Sequence, residues 1–355
     1  MTRELGSAAV PDLAARTLEL VDFPSESRDE AALAAHVLGL LPHARDAGDT
    51  CVLAGATERG ERPLVLLAGH LDTVPAQGNR PGRADADAVH GLGASDMKAG
   101  VAVMIELALA DASARTVDLG FVFFGREELP QTESALAPLL EREPGLRTAD
   151  LAIVMEPTDN TIQAGCLGNL NATWTFRGTA GHSARPWLAD NAIHRAARGI
   201  AALADVPVEE HSYEGLTFRE AVSVTRVAGG IADNVIPAEA TALVNYRYAP
   251  GREPADAEAR LRGWCEPHGT LEIASHAASG RVPEGNELVE RLRAAGDLAL
   301  EPKQAWTPVA EFAGAGVDAV NFGPGDPKFA HRADEQVSVA ALERCYAVLE
   351  RFACA

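Results

Sequence analysis

Three short, almost uninterrupted apolar runs, Pro63 to Ala68, Leu119 to Phe124 and Leu151 to Met155, stand out in the first half of the chain. Runs of that length without polar alternation predict strands buried on both faces. Between the first two, Val101, Met104, Ile105 and Ala108 recur at three- and four-residue spacing, which predicts a helix from about Met97 with one face inward. Asp96 would then sit at the helix N-terminus, where an anion is favoured and where a simple N-cap is the plainest role for it. An earlier helix is expected to open at Val10-Pro11-Asp12-Leu13, since Pro11 at a first-turn position loses nothing by lacking an N–H. A second covers Ala31 to Leu41, with Ser27 and Glu30 spaced as a capping box, and a third lies around Glu133 to Arg142. Strands alternating with helices predict an α/β sheet that carries its site at the carboxyl ends of the strands.

The period changes near Cys166. Leu170, Ala172, Trp174 and Phe176 alternate with polar neighbours, as do Ala242, Val244, Tyr246 and Tyr248, which predicts strands with one wet face. Asn191 to Leu203 and Pro254 to Cys265 read as helices, and Leu271 to Ala274 as a further strand. Together they predict an inserted α+β domain over residues 167–278, leaving 1–166 and 279–355 as the α/β domain. After the insertion come a short strand, Asp318 to Phe322, a loop from Gly323 to Val337, and a last helix that Ser338 would cap and that reaches Phe352.

The 355 residues carry 31 Lys and Arg against 51 Asp and Glu, a net charge of −20. That balance argues against nucleic-acid or anionic-membrane partners; it serves solubility, or marks carboxylates whose charge a metal offsets. Five cysteines, scattered and without CxxC spacing, read as reduced thiols, and Met1 to Leu13 has no basic segment followed by an apolar run. A cytoplasmic protein is the expectation.

Reactive side chains gather where the strands are expected to end. His70 and Asp72 follow the first apolar run at a spacing that lets a carboxylate orient an imidazole, although His-x-Asp also fits an ordinary surface loop. Glu127 and Glu128 follow the second run; adjacent carboxylates repel unless a cation offsets them, and a solvated turn is the other reading. Glu156 follows the third. His331 lies in the polar stretch Ala330-His331-Arg332-Ala333-Asp334-Glu335. Imidazole and carboxylate without thiolate suit zinc, and a paired site needs one carboxylate able to bridge ions ~3.5–4 Å apart.

Six motifs in order, Gly69-His70-Leu71-Asp72-Thr73-Val74-Pro75, Gly93-Ala94-Ser95-Asp96-Met97-Lys98-Ala99-Gly100, Glu127-Glu128, Glu156-Pro157-Thr158, Gly181-His182-Ser183-Ala184-Arg185-Pro186 and Asn234-Val235-Ile236-Pro237, span most of the chain. Together they resemble the dizinc aminoacylase, acetylornithine deacetylase and carboxypeptidase G metallopeptidase family. The resemblance implies a mixed-sheet catalytic domain with an inserted ferredoxin-like lid and dimerisation domain. It implies two Zn²⁺ per subunit, with Co²⁺ able to substitute: one ion on His70, Asp96 and Glu156, the other on Asp96, Glu128 and His331. Asp96 would bridge, Asp72 would orient His70, and Glu127 would be the base. His182 would be donated to the partner subunit of a homodimer.

A narrower set, Ala164 to Leu170, His182 to Leu188 and Phe322 to Pro327, together with Glu156-Pro157-Thr158, resembles one branch of that family and implies hydrolysis of N-succinyl-LL-2,6-diaminopimelate. Acetylornithine or another N-acyl amino acid is the alternative substrate. Arg185, Asn234 and Arg247 are the candidate substrate contacts, arginine being suited to carboxylates. Where that branch carries Thr-Asp-Val-Ala-Arg-Phe, this chain reads Thr307-Pro308-Val309-Ala310-Glu311-Phe312, so that Glu311 and Pro308 replace an arginine and an aspartate. A metal-stabilised binding module without catalysis would need the ligands but not Glu127 beside them.

Overall fold

The structure, a computed structural model, describes residues 11–355. Val10, where the first helix was expected to open, and the 1–10 stretch scanned for a leader lie outside the described residues. The chain forms two compact units, one of residues 1–164, 283–301 and 311–355 and the other of 165–282 and 302–310. The 302–310 segment, expected with the first unit, clusters with the second because Leu167 donates its N–H to Ala305 and Trp306 donates its indole N–H to Ala278.

In the first unit an eight-stranded mixed sheet is built around Leu64–His70, every residue of which is buried. It runs parallel to Asp118–Phe124 on one side and Leu151–Val154 on the other, with Ala319–Asn321 parallel beyond the latter. Cys51–Gly55 and Ile162–Ala164 are antiparallel, which makes the sheet mixed. Pairing of His70 with Phe124 and of Ala68 with Val154 sets the parallel strands in register, so the residues just past their ends emerge at one edge.

The helices differ from expectation at the ends that matter. Helix Ala31–Leu40 begins at Glu30 without a side-chain cap, because the Ser27 hydroxyl turns away to donate to Asp72 at 2.8 Å. The helix expected from Met97 begins at Ala99; before it, Ala94–Lys98 forms a wider turn in which Asp96 and Met97 leave helical geometry. Asp96 is therefore not an N-cap. Gly100 lets this helix approach the sheet, since a Cβ there would lie 2.5 Å from the Met155 carbonyl. The loop after Gly323 contains a strand, Gln336–Ser338, paired with Ala88–His90, and the last helix spans Val339–Cys354.

In the second unit the longer elements run strand, helix, three strands, helix, strand, one strand more between the helices than the expected ferredoxin-like order has. Its strands lie side by side as Glu209–Tyr213, Leu216–Gly229, Glu239–Tyr248, Gly168–Arg177 and Thr270–Ala277, all antiparallel. The alternating sets from Leu170 to Phe176 and from Ala242 to Tyr248 point to one face, where they pack with Ala192, Ala196 and Leu203 of helix Ala192–Ala204 and Leu261 and Cys265 of helix Pro254–Cys265. Leu216–Gly229 was not expected from the sequence, since its apolar residues are short and mixed with Arg and Thr on both faces. Among the described residues, nothing pairs with its outer side beyond Glu220. No helix of the described residues is long and apolar enough to cross a membrane.

Candidate metal centre

Six of the expected residues meet in the first unit. His70 closes the central strand, Glu127 and Glu128 follow Phe124, and Glu156 follows Val154 by two residues. Asp96 arrives from the turn before Ala99, and His331 from a tight bend where its φ is 61°. Three overlapping sets of donor atoms lie within 4.8 Å: His70 with Asp96 and Glu156, Asp96 with Glu128 and His331, and His70 with Glu127 and Glu128.

Asp96 is common to the first two sets, and its two oxygens face different imidazoles. Oδ1 lies 3.2 Å from His70 Nε2 and Oδ2 lies 3.4 Å from His331 Nε2. His331 Nε2 is also 3.0 Å from Glu128, and His70 Nε2 is 3.8 Å from Glu156. Four carboxylates at such distances destabilise one another's charge. Burial and then the neighbouring Glu156 hold Glu127 well above the usual carboxylate range, and burial raises Glu128. The imidazoles shift the other way: Asp96 and Glu128 raise His331 to about 11, and Asp72 and Asp96 hold His70 high against its burial. Protons thus sit where cations would, and an imidazole and carboxylate donor set of this charge fits divalent metal ions.

Asp72 lies against His70 and makes further bonds. The His70 Nδ1 is 3.0 Å from the Asp72 carbonyl, while the Asp72 carboxylate is 3.6 Å away. The carboxylate also accepts the N–H groups of Glu127 (2.9 Å) and Glu128 (3.1 Å) along with the Ser27 hydroxyl. One buried anion therefore fixes the backbone of the two adjacent glutamates. Ser27 and Glu335, whose carboxylate accepts the N–H of Asp96, were missed in the sequence, the first because it read as a cap, the second because its loop is polar. Lys98, buried with its ammonium on the Phe23 carbonyl, is pushed down to about 7 by desolvation.

His182, Arg185, Asn234 and Arg247 belong to the second unit. His182 pairs with Val235 in a two-residue ladder, and Ser183 donates its N–H to the Asn234 carbonyl, so His182 and Asn234 are neighbours. Arg185 follows on the same exposed turn, its N–H on the His182 carbonyl. Arg247 stands elsewhere, on strand Glu239–Tyr248, half-buried, its Nε donating to Asn245 at 3.0 Å. Glu311 is buried, at 5 % exposure, with Ser134 and the Ala137 N–H close by, and burial pushes its carboxyl up to about 7.

Comparison with known proteins agrees with this geometry. Residues 66–355 match the model of peptidase family M20/M25/M40. The chain is 40 % identical over 343 residues to DapE of Mycobacterium tuberculosis, covering 95 % of this chain and 96 % of that one. It is 36 % identical over 349 residues to succinyl-diaminopimelate desuccinylase of Corynebacterium glutamicum, covering 95 % and 94 %. The M20 metallo-carboxypeptidase Sso-CP2 of Sulfolobus solfataricus shares the fold with a TM-score of 0.77 at 18 % identity, covering 97 % of this chain and 99 % of that one. The chain belongs to peptidase family M20/M25/M40. It is a metal-dependent amidohydrolase of that family.

Proposed function

We propose that the protein hydrolyses N-succinyl-LL-2,6-diaminopimelate to succinate and LL-2,6-diaminopimelate, a step of lysine biosynthesis. The observation that carries the hydrolytic reading is the division of Asp96 between His70 and His331 with Glu127 alongside. The acyl group rests on the similarity to the Corynebacterium enzyme. His70, Asp96 and Glu156 would hold one Zn²⁺, and Asp96, Glu128 and His331 the other, with Co²⁺ as a substitute. Such a pair would supply polarisation of the scissile carbonyl and a more acidic attacking water.

Glu127 takes a proton from the water as its oxygen bonds to the carbonyl carbon, then gives it to the amine as the C–N bond breaks. Asp72 keeps Glu127 and Glu128 in place through their N–H groups. The second unit serves as lid and dimerisation surface, and His182 donates to the developing oxyanion in the partner subunit's site. The outer edge of Leu216–Gly229 and the exposed Trp187, Leu188 and Ile231 support a homodimer, since unpaired strand edges and apolar tips invite a partner. Arg185, Asn234 and Arg247 bind the substrate's polar groups. The burial of Glu311 is consistent with succinate, because a carboxyl kept from water is no surface anion repelling the substrate. Five free cysteines suit a cytoplasmic setting.

Turnover of the zinc-loaded protein on succinyl-diaminopimelate, acetylornithine and a set of N-acyl amino acids tests the assignment. The succinylated substrate should have the highest kcat/KM. A clear preference for another acyl group would replace succinate while keeping the site, and turnover of none would remove the hydrolytic reading.

A further inference from the structure

Glu335 is buried, at 2 % exposure, and no step above uses it. Its carboxylate accepts three backbone N–H groups at 2.9 Å each: Oε2 takes Gly93, and Oε1 takes Ser95 and Asp96. Those donors are three of four consecutive residues in the turn where Gly93 has a φ of 77° and Asp96 departs from helical geometry. The turn has no strand or helix ladder at this point to satisfy them, and buried N–H groups need an acceptor. The main chain adds a fourth bond, from Gly91 N–H to the Glu335 carbonyl at 3.0 Å.

On its other side Glu335 closes the bend that follows His331. Its N–H meets the Arg332 carbonyl at 3.2 Å, and Gln77 and Asn79 hold the His331 and Arg332 carbonyls. One side chain thus ties the Asp96 turn to the His331 bend, although the two are more than two hundred residues apart in sequence.

We infer that Glu335 is a positioning residue that holds Asp96 between the two imidazoles, so that the shared carboxylate is in place before any ion binds. The inference rests on the paired-metal reading of the site. A charged acceptor shared among N–H groups fixes a backbone more firmly than a neutral one, and partners of ligands one step removed typically change metal affinity ~10–100-fold. Glu335→Gln keeps one oxygen but turns an amide N–H₂ towards the remaining donor. The expected result is Co²⁺ and Zn²⁺ affinity ~10–100-fold weaker, measured against a competing chelator.

In the metal-free variant, amide exchange at Gly93, Ser95 and Asp96 should be at least about tenfold faster, while exchange in strand Leu64–His70 is unchanged. A merely structural role would lower Tm and leave the affinity of the folded protein unaltered. Unchanged affinity in a folded Glu335→Gln protein whose wild type binds both ions would overturn the inference alone; a wild type that binds neither ion overturns it together with the proposed function. If the variant does not fold, exchange in the metal-free wild type decides: fast exchange at the three amides overturns the inference, and slow exchange supports it.

Discussion

The two regions that the proposed reaction brings together are built in opposite ways. In the first unit His70, Glu127, Glu128, Glu156 and Asp96 follow a buried strand or are tied back by a buried carboxylate, Asp72 beneath Glu127 and Glu128 and Glu335 beneath Asp96. In the second, His182 and Asn234 hang on a two-residue ladder at the surface, next to Trp187 at 76 % exposure and near Ile231 at 87 % in sequence. The first region can hold its geometry without substrate; the second has few bonds to hold it in any one. In the proposed reaction chemistry falls to the preorganised part and recognition to the more exposed one.

The largest effect should come from Glu127→Gln. An amide cannot accept the proton of the attacking water, so kcat should fall at least ~10²–10⁴-fold while both ions remain bound. Glu128→Gln, by contrast, should lower the content of one ion. Metal analysis that gave the reverse pattern would exchange the roles of the two glutamates. His182→Ala tests the other region, with a loss of about 3–4 kcal/mol in transition-state stabilisation and no loss of metal or dimer. Mixing it with Glu127→Gln protein should restore activity, because one site of each mixed dimer would hold an intact Glu127 and a donated His182. Mixed dimers without activity would confine His182 to its own chain or remove it from the reaction.

How much of this could be read in the sequence follows the same division. The buried strands announce themselves as apolar runs, so the positions of His70, Glu127, Glu128 and Glu156 at their ends could be read from periodicity, while their grouping as a metal site rests on the family resemblance. The residues behind them could not be read in this way. Ser27 has the spacing of a helix cap yet bonds to Asp72, and Glu335 is a polar residue in a polar loop; only the chain's return to Gly93 makes it buried. Leu216–Gly229 carries too little alternation to announce a strand, because most of it is exposed on both faces. His182 and Val235 are far apart in sequence, and a surface ladder leaves no periodic trace of their pairing.

Glu311 offers a contrast within the first unit, a buried carboxyl without the three N–H partners that Glu335 enjoys. Ser134 and the Ala137 N–H are its polar neighbours, and they do not offset its burial. Its folded-state affinity for a proton is raised, to about 7 from an ordinary 4.5. The stabilising contribution is therefore complete below pH ~4.5 and is lost as pH rises through ~7, a change of about 3 kcal/mol. Glu311→Gln does not titrate. Denaturation of the two metal-free proteins should show the variant gaining on wild type between pH 5 and pH 8 by an amount of that order. Parallel stability curves across that range would mean that Glu311 is charged in the folded protein and has a cationic partner.

Arg247 should give the smallest effect and the sharpest separation of recognition from chemistry. It is half-buried, burial disfavours its charge, and among the described residues no carboxylate pairs with it; Asn245 alone accepts its Nε. A guanidinium so placed has donors left over for a planar anion, and a charged hydrogen bond of this kind contributes about 1.5–3 kcal/mol. Arg247→Ala should accordingly raise KM for a succinylated substrate roughly tenfold or more, change KM for a formylated analogue little, and leave kcat near the wild-type value for both. The formyl group lacks the distal carboxylate, so the ratio of the two KM changes isolates that contact from any general loosening of the second unit. Equal changes for the two substrates would take Arg247 out of the succinate pocket and leave Arg185 as the remaining arginine to test.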